Sequence, residues 1–307
     1  MRSNKLFSHL LLGLLAYSLI VFLWGAWVRI SGSGDGCGEH WPFCQGQLIP
    51  DSYILKVWIE NFHRISTKLY GFIVIALLIS VYRQFPKKSP TRKWMTWVFG
   101  LTLVEGLIGA VIVLKGFVAD DDSIGRAFLI SIHLVNTFLL TSTIIFTWLS
   151  QKYKCDIFLM KFFKLSRSYI LIGFILCIGA TGALAALSTT LFPSVSLFSG
   201  LTHDFSKGSH FLLKIRILHP LLAIGFLFLA GYKTQSLIES SQNSIHKYWG
   251  RIFQVLLLVT FFIGAITLGL LSPLSLKLIH LFFAHLLWMS FVMFLSTRFI
   301  PESSLKK

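Results

Sequence analysis

Ten histidines are spread through 307 residues, and four of them recur in one pattern. His63, His133, His219 and His280 stand on four different apolar stretches, 70 residues apart in the first pair and 61 in the second. They fall 5, 6, 6 and 6 residues into the second, fourth, sixth and eighth stretches. At about 1.5 Å of rise per residue, that places each one ~8–9 Å below the same surface of a membrane. An imidazole in hydrocarbon must place both an N–H and a lone pair, and a metal takes the lone pair outright. Zinc favours four ligands, commonly with cysteine or a short HxxxH spacing. One histidine per helix, with two helices facing across ~4 Å, is instead what a six-coordinate haem iron requires. The competing reading is that the four are polar groups cementing helix contacts, although ionisable groups inside a membrane are costly and tend to be functional. The remaining six read as ordinary: His9 and His246 near the basic surface, His40, His203 and His210 in loops of the opposite surface, and His285 deep in the last stretch beside a polar neighbour.

Glu60 precedes His63 by three residues in the run ENFHR, so the two share a helical face. A carboxylate one turn above a metal-bound ring could position substrate, relay protons or stabilise a cationic intermediate; the plainer alternative is an acid placed at a helix start by the macrodipole. Three residues before His219 stands Arg216 rather than an acid. The first site is therefore expected to do chemistry and the second to hold a permanent haem. Arg64 and Arg216 are candidates for pairing with haem propionates, and snorkelling to the surface is equally open. Cys37 and Cys44 share the loop ISGSGDGCGEHWPFCQGQLIP. On an oxidising face they would form a disulfide that gates substrate or exchanges with a partner's thiols; two free thiols are the alternative. The loop's glycines are turn formers and not a phosphate loop, since no Lys-Ser/Thr follows. Cys155 and Cys177 read as inert, and Glu105, in the middle of the third stretch, reads as a hydrogen bond to another helix or a station on a proton path.

The elements that must position these residues are membrane helices. The chain is 55% hydrophobic and 13% charged, against about 25% charged in a soluble domain. Apolar segments at about 6–28, 58–81, 94–114, 127–149, 168–191, 213–232, 250–271 and 274–298 are each long enough to span. The first is too long for a cleaved signal peptide and reads as a retained helix. The net charge of +16 does not indicate nucleic acid, because it is segregated. Arg2 and Lys5, then 83–93, 152–167, 233–251 and 298–307 hold 18 basic residues against Asp156, Glu239 and Glu302. Basic loops mark the cytoplasmic side, so both termini are expected inside. The chain also repeats itself. GLIGAVIV (106–113) precedes SIHLVNTFLL (131–140) much as FIGAITLGL (262–270) precedes LKLIHLFFAHLLW (276–288). Two four-helix halves, 1–154 and 155–307, would give this spacing.

Taken together, GSGDGCGEHWPFCQG, ENFHR, SIHL, GATGALAALSTTLFPS (179–194), LKIRILHPLLA (213–223) and LKLIHLFFAHLLW resemble the haem A synthase family over nearly the whole chain. The resemblance implies an all-α integral membrane fold of eight helices in two pseudo-symmetric four-helix bundles. It implies that His63 and His133 hold a substrate haem O, that His219 and His280 ligate a haem b iron, that Glu60 is catalytic and that Cys37–Cys44 is the family's outer-loop cysteine pair. The implied reaction is oxidation of the C8 methyl of haem O to formyl by successive hydroxylations. Haem O synthase and an unidentified electron donor are the implied partners, in the plasma membrane bilayer, with a homo-oligomer left open. Some members carry a second cysteine pair, and residues 189–212 contain none. The runner-up is a bis-histidine membrane cytochrome b or haem carrier that oxidises no methyl.

Overall fold

The computed structural model describes residues 2–154 and 168–300; Cys155, Asp156, Lys161, Lys164, Arg167, Glu302, Lys306 and Lys307 lie outside the described residues. Among the described residues there are ten helices and no strand: α1 (Arg2–Ile30), α2 (Leu55–Gln84), α3 (Pro90–Leu114), α4 (Ile124–Tyr153), α5 (Ser168–Leu191), α6 (Leu197–Asp204), α7 (Phe211–Arg216), α8 (Leu218–Glu239), α9 (Ser244–Gly269) and α10 (Leu274–Thr297). Eight stretches are long and apolar enough to cross a membrane, with α7 and α8 together making the sixth, Phe211–Glu239.

The helices begin where local chemistry lets them. Ser89 and Ser123 accept the backbone N–H groups of Arg92 and Arg126, and Asn243 accepts those of Ile245 and His246. Such caps satisfy amides that have no partner inside the helix. Several spans start earlier than their apolar runs, because polar first turns extend them. His63, His133 and His219 therefore sit 8, 9 and 8 residues beyond the first residue of their spans, and His280 sits 6 beyond, or roughly 9–14 Å in, deeper than the sequence suggested. The sixth span is interrupted at Ile217. Pro220 is the reason: it has no N–H for the carbonyl of Arg216, and its ring crowds that carbonyl. The break falls two residues before His219. The short helix α6 was not anticipated.

Successive spans pack side by side, α1 on α2, α2 on α3, α3 on α4, and likewise from α5 through α7 and α8 to α10. α4 and α10 are central: 56% of the spanning window of each is buried, against 17–28% in the other six spans. α4 packs on α1, α3, α5 and α10, and α10 packs on α1, α4 and α9. Two apolar clusters follow from this, one built on Leu11, Val74, Met95, Val98 and Leu140, the other on Phe138, Phe253, Trp288 and Phe291. Trp288 also donates from Nε1 to the Phe138 carbonyl (2.6 Å) and to Ser142 (3.0 Å). In lipid such packing and interhelical bonds, more than water exclusion, hold helices together.

The loops 31–54, 115–123, 192–210 and 270–273 meet at one end of the bundle, hereafter the disulfide end. Gly34 approaches Val118 there, and His210 Nε2 lies 3.4 Å from Asp122. At the opposite end Trp148 donates to Ser8 and Asn243 to the Thr297 carbonyl.

Candidate functional site

Glu60 lies in the second turn of α2 and is 3% exposed. One carboxylate oxygen accepts Arg64 Nε at 3.0 Å and Nη2 at 2.6 Å. The other accepts the backbone N–H of Cys37 at 2.8 Å. The remaining donors of Arg64 reach the carbonyls of His40, Phe43 (2.5 Å) and Gly38 (3.4 Å). Gly38 has φ +65°, a left-handed conformation that glycine adopts without strain and that turns its carbonyl to the guanidinium. Cys37 and Cys44 form a disulfide, and both are fully buried. At Gly36 the loop presses on α2 so closely that a Cβ would stand 2.7 Å from the Lys56 backbone. The disulfide loop is thus bolted to α2 through the Glu60–Arg64 pair. Breaking one partner of such a buried pair costs on the order of 3–5 kcal/mol.

The ring of His63 turns from this pair toward α1, where it lies against Gly25; a Cβ on Gly25 would meet its Cε1 at 2.8 Å. Its Nδ1 is buried without a hydrogen-bond partner. His133, on α4, lies within electrostatic range of His63. Its Nδ1 is 3.2 Å from a carboxylate oxygen of Glu105, an ion-pair distance without the alignment of a hydrogen bond. The other oxygen of Glu105 accepts Asn136 Nδ2 at 2.5 Å, the cross-helix bond that its position predicted.

The second pair repeats the design. His219 rests on Gly182 and His280 on Gly264, where a Cβ would meet the rings at 2.9 and 2.8 Å. Their ring centroids are 6.1 Å apart and their planes 81° apart. His219 Nδ1 faces the Ile178 carbonyl at 3.1 Å, and His280 Nδ1 has no hydrogen-bond partner. The sequence around His219 offers no acid, but the fold brings one from α6. Asp204, 4% exposed, pairs with Arg216 Nη2 at 2.6 Å and Nε at 2.8 Å. Arg216 also donates to Ser194.

The spacing of the second pair fits a haem iron between its rings. An iron bound by ~2 Å bonds to one nitrogen of each ring would hold two imidazole centroids roughly 6 Å apart. All four rings are half-buried, and the nitrogen turned into the protein is Nδ1, which leaves the Nε2 side open. The glycine cradles fix the rings by removing the space in which they would turn. His285 shows the contrast. It was expected beside a polar neighbour, yet both its nitrogens are buried without partners. It is packed instead between Phe22 (5.4 Å) and Phe138 (5.1 Å), the apolar rings that line the junction of α1, α4 and α10. Among the described residues no three His, Cys, Asp or Glu side chains gather around one point.

Sequence reading missed Glu105 as a neighbour of His133 and missed the three glycine cradles. The FIGA run contained a signal for one of these, the cradle at Gly264, since glycine between bulky apolar residues marks a close approach.

The chain is 33% identical to a protoheme IX farnesyltransferase of Thermus thermophilus over 296 residues, 93% of this chain and 47% of that protein. It thus spans about half the length of that relative. It is 37% identical over 100 residues to a heme A synthase of Symbiobacterium thermophilum, 33% of this chain and 32% of that one. It is 26% identical over 291 residues to a heme A synthase of Bacillus cereus, 91% of this chain and 90% of that one. The model of the cytochrome oxidase assembly protein family matches residues 8–292, and the chain belongs to that family.

Proposed function

We propose that the chain is a haem A synthase, which oxidises the C8 methyl of haem O to a formyl group for cytochrome oxidase. The observation that carries this reading is the coincidence of two half-buried histidine pairs with a buried carboxylate, Glu60, beside only the first of them on its own helix. His63 and His133 would hold the substrate haem, and His219 and His280 a haem b. When bound, haem b supplies one-electron redox chemistry. The methyl gains one oxygen atom and loses two hydrogens, in two successive hydroxylations that take their oxygen from dioxygen or water and balance their electrons through an external redox partner, followed by loss of water from the hydrated aldehyde.

The chain's own residues do the rest. The glycine cradles orient His63, His219 and His280 before any ligand arrives. Glu105 holds His133 in place from behind, as outer-shell carboxylates do for metal-bound imidazoles. Glu60 would accept or return a proton at the substrate edge. Both its oxygens are engaged by Arg64 and the Cys37 N–H, so the disulfide loop governs when it is free. Arg216 and Asp204 brace the corresponding loop of the second half, where the turns around His219 carry no acid. The halves 1–154 and 155–307 then divide the work, chemistry in the first and electron storage in the second. The segregated basic loops support a plasma-membrane protein with both termini cytoplasmic. The relative named as a protoheme IX farnesyltransferase supports a partnership with the enzyme that makes the farnesylated substrate.

Extraction and chromatography of haems from a haem O-producing host, with and without the chain, test the reading. A new haem A or hydroxymethyl peak is expected, and Glu60→Ala should abolish it while leaving helix content intact. Haem b bound to the chain with haem O unchanged, in the presence of a donor, would overturn the enzyme in favour of a cytochrome or carrier.

A further inference from the structure

Three cations stand above the histidines at the disulfide end, on the helices that join the two pairs. Arg29 is four residues beyond Gly25 on α1, so it sits one turn above the ring of His63 that Gly25 cradles. Lys277 is three residues before His280 on α10, on the same helical face and one turn above it. Arg126 is seven residues before His133 on α4, two turns above it. The three interact with one another electrostatically, Arg29 with Arg126 and Lys277 with Arg29, and Arg29 also acts on His133.

Their partners differ sharply. Arg126 is 2% exposed and donates to the carbonyls of Ala119 and Asp121, so it is fixed by its own loop. Among the described residues Lys277 donates only to the Thr190 hydroxyl, at 3.1 Å. Arg29 makes no side-chain hydrogen bond among the described residues, and its Nε is buried without a partner. Among the described residues neither Arg29 nor Lys277 has a carboxylate within ion-pair distance. Arg64 and Arg216, by contrast, already hold Glu60 and Asp204. Mutually repelling cations near the end of a membrane bundle, without counter-ions, are unfavourable until an anion joins them.

We propose that Arg29 and Lys277 form a carboxylate-binding subsite between the two histidine pairs, and that it takes haem propionates, Arg29 from the haem on His63–His133 and Lys277 from the haem on His219–His280. The inference rests on the haem reading above. It orients both macrocycles with their propionates toward the disulfide end and their apolar edges toward the membrane interior, where a farnesyl tail meets lipid. It also explains why the two sites share a boundary: one cation cluster serves both.

The test uses the full chain purified from cells blocked in haem synthesis and titrated with haem b or with haem b dimethyl ester, followed by the Soret band. The wild type should bind the free acid at least about tenfold more tightly than the ester, since charge-assisted bonds are about twice as strong as neutral ones. Arg29→Gln with Lys277→Gln should lose that preference, and Arg29→Lys should retain part of it. The melting temperature of the haem-free double variant should equal or exceed that of the wild type, because a repulsion has been removed. A double variant that keeps the full preference overturns the subsite while the haem reading stands. A drop in the haem-free melting temperature also overturns it, since the cations would then be bracing the fold. A wild type that binds neither haem overturns the haem reading, and the subsite with it.

Discussion

The backbone N–H of Cys37 donates to Glu60 at 2.8 Å, so the disulfide loop is hydrogen-bonded directly to the buried carboxylate one turn before His63 on α2. Arg64 completes the junction by gripping Glu60 and three loop carbonyls at once. Loop position and carboxylate availability are thereby one variable.

Arg64→Met should leave Glu60 buried without its cation and release the loop. A destabilisation on the order of 3–5 kcal/mol is expected from an unpaired buried charge, read as a fall in the thermal midpoint of the detergent-solubilised protein. Replacing both residues, Glu60→Gln with Arg64→Met, should restore much of that loss but not haem A formation. Full loss of stability in the double variant would mean that the loop carbonyls, not the carboxylate, dominate Arg64.

Removing the disulfide with Cys37→Ser and Cys44→Ser should cost roughly 2–3 kcal/mol, the loop-closure entropy of so short a ring. Arg64 still holds the loop in that variant, so haem at His219–His280 should load normally while haem A output falls. Equal loss of both haems in pyridine haemochrome assays would contradict a role confined to the first site.

Glu105→Gln keeps a hydrogen-bonding oxygen for Asn136 but replaces the carboxyl group facing His133 Nδ1 with an amide. Loss of an outer-shell carboxylate typically weakens metal binding about 10–100-fold. Haem on the His63–His133 pair should weaken by that amount, with the other pair unaffected, as measured by separate competition titrations in His219→Ala and His63→Ala backgrounds.

Gly25→Ala places a methyl 2.8 Å from the His63 ring, whereas Gly109→Ala meets nothing within 4 Å. The first should cost about 1–3 kcal/mol through overpacking and rotate the ring; the second should be neutral or slightly stabilising. Electron paramagnetic resonance of the ferric haem reads ring orientation directly, and an unchanged spectrum in Gly25→Ala would mean the cradle does not set it.

The histidines were legible because each is a costly polar residue alone in an apolar run, and the eight spans because lipid demands long apolar helices. The break before His219 was also written in the sequence, in Pro220, but a continuous apolar run concealed it. Asp204 was not legible: it lies 12 residues from Arg216, in a polar loop whose folding into α6 no periodicity announced. Nor was the approach of Glu105 to His133, because it depends on how α3 turns against α4. The glycine cradles looked like ordinary small residues until their neighbours were in place.

α4 has a further consequence for how the protein is made. Its central position means that two of its partners, α5 and α10, are synthesised after it, and it enters the bilayer with a stripe of hydroxyl residues that will later be covered. Those hydroxyls are closed on their own helix: Thr137, Thr141, Ser142, Thr143, Thr147 and Ser150 each donate to a carbonyl three or four residues earlier. These hydroxyls therefore present no open donors to hydrocarbon while the helix waits. When α10 arrives, Ser142 needs only to accept a bond from Trp288, without giving up its own. The last span can dock on a surface that was chemically complete beforehand, which lets assembly run in the order of translation.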